Sequence, residues 1–196
     1  KLSMKKLVIG YDHQFGRNRE GSIDQLREYA PLYNFDVSEI PAQDIDDVSV
    51  SSTKIRKALL AGEVDRASSF LSYDYFVTGS VVEGKKRGAG LGFPTANIQV
   101  NSDTKLIPRM GVYAVKVLVD DVFYFGMLNI GHNPTFGSNS TRTMEVNIFD
   151  FNQNIYQKNI RVYFMARIRD EKKFNSPEEL VSQLNMDKDQ ALKIVK

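Results

Sequence analysis

The sequence predicts a mixed architecture: a partial α/β segment over residues 1–72, then a six-stranded antiparallel β-barrel with C-terminal helices over residues 73–196. Three observations carry this. Strand and helix signals alternate up to Leu71, which is the α/β order. From Tyr73 onward six runs rich in Val, Ile, Tyr and Phe follow one another, with turn residues between them. Six strands in succession favour a closed or nearly closed barrel, because closure removes exposed edges. Finally, a capped helical pattern ends the chain.

The elements follow in order. Lys6–Gly10 is a strand, and residues 10–21 form a polar loop with glycine at both ends. A helix is predicted from Ser22 to about Tyr33, with Ile23, Leu26 and Ala30 spaced along one face. Phe35–Ile40 reads as a short strand. Ser51 or Ser52 caps a second helix with Ile55, Ala58 and Leu59 inward, stopped by Gly62. A short helix, Val64–Leu71, closes the segment. Two strands with helices rarely make a stable open sheet, so residues 1–72 read as the back of a larger α/β domain. The initial Lys in place of Met agrees with a piece of a longer chain.

The six barrel strands are predicted at Tyr75–Val82, Ala96–Val100, Gly111–Val119, Val122–Ile130, Thr143–Asp150 and Ile160–Ile168, with a tight hairpin at Asp120-Asp121. Two helices are expected at the end. Ser176-Pro177-Glu178-Glu179 joins a capping box to proline at the first helical position, with Leu180, Val181 and Leu184 buried. Asp187 starts the second, with Ala191, Ile194 and Val195 inward.

Composition narrows the function. The 196 residues carry a net charge of only +2, so no large basic field points to nucleic acid or an anionic membrane. No apolar run reaches the roughly 18 residues needed to span a bilayer. With no cysteine, disulfides, thiolate metal sites and a cysteine nucleophile are excluded, and two histidines are too few for a His-rich metal site. The cytoplasm is the default compartment.

Chemistry concentrates in Gly79–Asn97, where Gly84, Gly88, Gly90 and Gly92 fall within nine residues beside Lys85, Lys86 and Arg87. Glycines at this density let backbone N–H groups converge on an anion, and a nucleotide triphosphate fits best. No Gly-Lys-Ser/Thr follows, so this is not a Walker A loop; a long hairpin loop is the alternative. Thr95 and Asn97 point the same way in extended chain and offer oxygen donors of the kind Mg²⁺ accepts beside phosphates. An ordinary polar strand face fits the same pair. Thr143, Glu145 and Asn147 share one face of their strand, opposite Met144, Val146 and Ile148. Glu145 is a general-base candidate, although the pattern alone favours a solvated outer-face glutamate. The loop Asn129–Gly137 is turn-rich and could line a pocket, although loops of this composition usually just connect strands.

The motifs G-x-V-V-x-G-x-x-x-G-x-x-L-G-F-P-T-A-N, N-I-G-x-x-P-T-F and M-E-V-N-I-F-D-F, in this order, resemble the riboflavin kinase family. Arg169-Asp170-Glu171-Lys172-Lys173-Phe174 before a capped helix fits the same family's C-terminal end. The resemblance covers about residues 75–196. It implies transfer of a phosphoryl group from ATP to the riboflavin 5′-hydroxyl, giving FMN, on a six-stranded barrel. The loop from Gly84 to Gly92 would cover the nucleotide phosphates, and Thr95 and Asn97 would bind Mg²⁺ or another divalent cation. Glu145 would take the proton. Asn129, Pro134, Thr135, Phe136, Arg169 and Phe174 would flank the flavin and nucleotide.

Upstream, G-Y-D-H-Q-F-G-R-N-R-E-G and V-S-S-T-K-I-R resemble later motifs of the FMN adenylyltransferase module of bifunctional bacterial FAD synthetases. Gly10, Asp12, Phe15, Gly16, Arg19, Ser52, Thr53 and Arg56 carry that likeness. The module's early H-x-G-H-type motif is not found, so adenylyl transfer is expected of a parent protein and not of this chain. The rival reading is a non-catalytic flavin- or nucleotide-binding barrel. The expected partners are ATP, riboflavin and FMN, with neither nucleic acid nor membrane. An incomplete α/β segment also exposes a sheet edge through which copies can associate.

Overall fold

The computed structural model describes residues 4–41, 44–45, 48–84, 88–132 and 142–195. The chain divides into two compact units, Lys1–Val50 and Ser51–Lys196. This division falls earlier than the expected one at residue 72, because two helices of the α/β segment share a core with the barrel. Ala58, Leu59, Val64 and Ala67 belong to the same buried cluster as the barrel interior.

In the first unit β1 (Lys6–Gly10) pairs in parallel with β2 (Asp36–Ile40), in a register running from Lys6 opposite Asp36 to Gly10 opposite Ile40. The crossover is α1 (Ile23–Tyr33), as a parallel pair requires. A reciprocal capping box opens α1, in which the Ser22 backbone N–H donates to Gln25 Oε1 at 3.1 Å. Asn34, left-handed at φ 55°, ends it. Arg27 bonds Glu39 at 2.7 Å and ties helix to strand. Two short strands lie beyond the pair predicted, β3 (Asp44–Ile45) and β4 (Val48–Ser49), joined in an antiparallel ladder. Ile9 is the one buried hydrophobe among the described residues of this unit.

The second unit opens with α2 (Ser52–Ala61), capped by Ser51, whose Oγ accepts from the Lys54 N–H at 3.3 Å. The helix stops at left-handed Gly62, and α3 (Val64–Leu71) follows. The six predicted strands are β5 (Phe76–Val82), β6 (Ala96–Val100), β7 (Gly111–Val119), β8 (Val122–His132), β9 (Arg142–Ile148) and β10 (Asn159–Arg169). They close into a barrel in the order β5-β6-β9-β8-β7-β10, every pairing antiparallel. Asp120 and Asp121 turn the β7–β8 hairpin with φ of 46° and 63°, the left-handed pair that matches strand twist. Val77, Val115, Leu128, Val146 and Phe164 fill the interior.

Outside the barrel wall a second cluster joins Phe93, Ala114, Met127 and Phe149 to Ala191, with Val181 and Leu184 packed against it. Here the structure corrects the sequence reading. One helix, α4 (Pro177–Val195), replaces the two expected. Ser176 caps it through the Glu179 N–H at 3.2 Å, while the Glu179 carboxylate reaches back to the Asn175 N–H at 3.1 Å. Asp187 does not start a helix: it lies mid-helix and buried, because its carboxylate finds an arginine on β10 instead of local backbone donors. Ile194, expected inward, faces solvent, while Ala191 and Val195 pack. No helix among the described residues is long and apolar enough to cross a membrane.

Candidate active site

Barrel register assembles the site. On β9, Glu145 stands directly opposite Asn97 of β6 on one side and Asn129 of β8 on the other. Asn129 stands opposite Val112 of β7, which in turn faces Arg169 of β10. Directly paired residues project to the same face of a sheet. The row Asn97–Glu145–Asn129–Val112–Arg169 therefore crosses five strands on the outer wall, while Met144, Val146 and Ile148 fill the interior. Glu145 is half-buried.

A cavity of about 270 Å³ lies on this wall, beneath α4 and the glycine-rich loop. Gly88, Thr95, Asn129, Glu145, Arg169 and Phe174 of the predicted set line it. Phe93, Met127, Leu180 and Leu184 supply its apolar surface. A second cavity, about 330 Å³, opens at the barrel mouth between inward-facing Val81, Ala96 and Val146 and the segment holding Asn152 and Tyr156. Thr95 lines both, so it stands where the two cavities meet.

The glycine loop enters this arrangement unevenly. The Gly88 carbonyl accepts from the Leu91 and Phe93 N–H groups at 3.0 and 2.9 Å, which folds the loop back toward β6. Gly84 packs on Asn97 so closely that a methyl there would overlap the side-chain amide. Gly92 adopts φ 82°, which only glycine holds without strain. Gly90 and Gly92 line neither cavity. Lys85, Lys86, Arg87, Pro134, Thr135 and Phe136 lie outside the described residues.

The opposite lip follows β10. Arg169 donates from Nε to Asp187 Oδ1 at 2.9 Å and from Nη2 to Oδ2 at 2.7 Å, and from Nη1 to the Asp170 carbonyl at 2.9 Å. Gln183 donates to Asp187 Oδ1 at 2.9 Å. The Arg169 guanidinium lies 5.8 Å from the Phe174 ring centre and the Lys172 ammonium 5.5 Å from it. Next along the chain, the hydrogen bond and charge of Arg167 hold the Asp170 carboxyl below the usual carboxylate range. Burial pushes the neighbouring Tyr113 hydroxyl up. The Glu171 carboxylate closes over Gly131.

Two residues escaped the sequence reading. Asn147 was placed on the Glu145 face by strand alternation but given no role; its Nδ2 donates to the Pro94 carbonyl at 2.7 Å. Asp187 was read as a helix start and given no role in the site, since the arginine it pairs with lies across the wall. No cluster of three or more His, Cys, Asp or Glu that could hold a metal ion exists among the described residues. Thr95 and Asn97 are too few for a resident ion, yet their oxygen chemistry fits one that arrives with phosphates.

The upstream motif divides between the units. Phe15 and Gly21 close its loop with two backbone bonds of 3.1 and 2.8 Å around Gly16 and Arg19, and Gly10 and Asp12 precede it. Ser52, Thr53 and Arg56 form the exposed first turns of α2, with Arg56 bonded to Ser52 Oγ at 3.3 Å.

The structure is thus a closed barrel whose outer wall carries a carboxylate in a cavity that adjoins a second one at Thr95. The model of the riboflavin kinase family matches residues 71–195, and the chain belongs to that family. The FAD synthetase model matches residues 1–54. A bifunctional riboflavin kinase/FMN adenylyltransferase of Listeria monocytogenes is 40% identical over 95% of this chain and 59% of its own length. The protein of the same description from Bacillus subtilis is 38% identical over 98% of this chain and 61% of its own. The chain thus spans about 60% of the curated relatives it matches. A crystal structure from Streptococcus pneumoniae, described as a macrolide-efflux protein, superposes with a TM-score of 0.85 at 37% identity, over 93% of this chain and 59% of that one.

Proposed function

We propose that the chain transfers the γ-phosphoryl group of ATP to the 5′-hydroxyl of riboflavin, giving FMN and ADP. The observation that carries this reading is Glu145 in the outer-wall cavity, beside the point where Thr95 joins it to the barrel mouth. A general base must touch the acceptor alcohol, so riboflavin takes the outer-wall cavity. Phe93, Met127 and Phe174 suit its flat ring system. ATP takes the barrel mouth, its phosphates directed across Thr95 and under the glycine loop.

Phosphoryl transfer asks a protein mainly for positioning and charge stabilisation. Glu145 accepts the hydroxyl proton, the freed oxygen bonds to the γ-phosphorus, and the bridging oxygen leaves with its electron pair on ADP. Asn97 and Asn129 stand in register on either side of Glu145, which places the carboxylate in a polar row. Thr95 and Asn97 would hold a divalent cation, which when bound neutralises phosphate charge. Arg169 and Phe174 form the flavin's outer lip. An ATP-dependent step also fits a cytoplasmic location.

Incubation with riboflavin, ATP and Mg²⁺, followed by chromatography, tests the reading. FMN is expected, and no FAD. Glu145→Gln is expected to lower turnover about 10²–10⁴-fold with nucleotide still bound. Near-normal turnover would remove Glu145 from the mechanism, and binding without FMN would favour the non-catalytic barrel. Among the described residues of the first unit, the β1–β2 sheet has no further strand paired to it, which supports self-association; light scattering showing a strict monomer at high concentration would overturn that part.

A further inference from the structure

Two polar side chains are buried among the described residues, Asn147 and Asp187, at 7% and 1% exposure. Both line the outer-wall cavity. Burying such groups costs stability unless each is satisfied. Each is satisfied by a different lip of the cavity. Asn147 donates to the Pro94 carbonyl at 2.7 Å, across 53 residues of sequence. Asp187 takes Arg169 in a two-pronged ion pair, with Gln183 on its Oδ1.

We infer that Asn147 and Asp187 are a pair of positioning residues, each setting one substrate's side of the site. This rests on the kinase reading above. Asn147 sits two residues from Glu145 on the same strand face, so one rigid strand holds both the base and the clamp. Pro94 precedes Thr95 and lines the barrel-mouth cavity. Its carbonyl, held by Asn147, fixes where the loop re-enters β6, and hence where Thr95 meets the nucleotide. Asp187 acts on the other lip. A guanidinium free to rotate samples many positions; one held through Nε and Nη2 by a fork presents a single face. Arg169 is thereby set against Phe174, where the flavin would lie. The two clamps stand on separate elements, β9 and α4, and share no hydrogen-bond partner. Their effects are therefore separable by substrate.

The test is a split in the two Michaelis constants, with binding measured beside it. Asn147→Leu keeps nearly the same volume and removes the donor without adding charge, so the KM for ATP is expected to rise about tenfold, the ratio of one lost hydrogen bond. Because the side chain also lines the riboflavin cavity, the variant's KM for riboflavin is expected to move too, but by less, no more than about threefold. Asp187→Asn keeps the shape and removes the charge, with the opposite pattern: riboflavin KM up about tenfold and ATP KM little changed. If Asp187→Asn does not fold, Gln183→Met, which removes only one support of the carboxylate, is expected to weaken riboflavin about threefold. Riboflavin affinity by fluorescence quenching and ATP affinity by calorimetry are read on the same variants. Equal movement of both constants, or none, would overturn the clamps while leaving the kinase reading intact. A wild-type chain that makes no FMN fails that reading instead, and the affinities still judge the clamps.

Discussion

The first compact unit buries a single hydrophobe among its described residues, Ile9 at 6% exposure. The barrel unit buries a continuous interior and a second cluster under α4. The contrast is physical and not compositional. Both regions contain Val, Ile, Leu and Tyr in the periodic patterns of regular structure. A closed barrel gives every inward side chain a partner, while a two-stranded parallel sheet with one helix has neither a second face nor enough strands to cover its own. Leu32 and Tyr33 on α1 stand 75% and 73% exposed as a result.

Four substitutions break or sharpen this contrast, from the largest effect to the smallest. Phe164→Ala removes a fully buried ring that packs edge-on against Tyr113, and about 3–5 kcal/mol of barrel stability is expected to go with it. Denaturant unfolding followed by tyrosine fluorescence measures this; a loss below about 1 kcal/mol would mean the interior is not close-packed. Ile9→Ala is expected to cost about 2 kcal/mol, a large share of what a unit with one buried hydrophobe can hold. Hydrogen exchange should then lose protection over residues 6–40 while the barrel transition stays in place. If both units lose protection together, their stabilities are not separate.

Tyr75 offers a pH test of the barrel core. Burial, with a smaller contribution from Tyr73, pushes its hydroxyl up to about 12 from 10.0, and it donates to the Leu106 carbonyl at 2.7 Å. The native state thus binds this proton more tightly than the unfolded chain. That stabilisation is full below pH 10 and is lost as pH rises through about 12. Tyr75→Phe is expected to flatten the alkaline fall of stability in that window; an unchanged slope would deny the buried hydroxyl its role. Leu32→Ser should change stability by no more than about 0.5 kcal/mol, because the side chain is already in water.

Legibility followed the same divide between local and non-local causes. The six strands, the Asp120-Asp121 hairpin, the Ser176 cap and the Gly62 stop were all readable, and the second helix's cap was narrowed to Ser51 or Ser52, because alternation, turn chemistry and capping act within a few residues. Glu145 was readable only as a candidate. Its alternation was correct, but what separates a solvated glutamate from a cavity-lining one is the loop and helix laid over that wall. The break expected at Asp187 failed because a good local start signal lost to an arginine 18 residues away. The additional pair β3–β4 was missed because two-residue strands carry no period.

What the sequence by itself determined is the barrel, its strand faces and the order of its motifs, since these follow from side-chain period and turn residues. It also carried the family resemblance that brought riboflavin into view. Only the tertiary structure decided that Asn97, Glu145 and Asn129 form one row, that Thr95 joins two cavities, and that Asn147 and Asp187 hold opposite lips. Closing the barrel sets the register between strands distant in sequence, and that register, with the helix packed over it, determines which polar groups meet. No local pattern in the chain encodes those meetings.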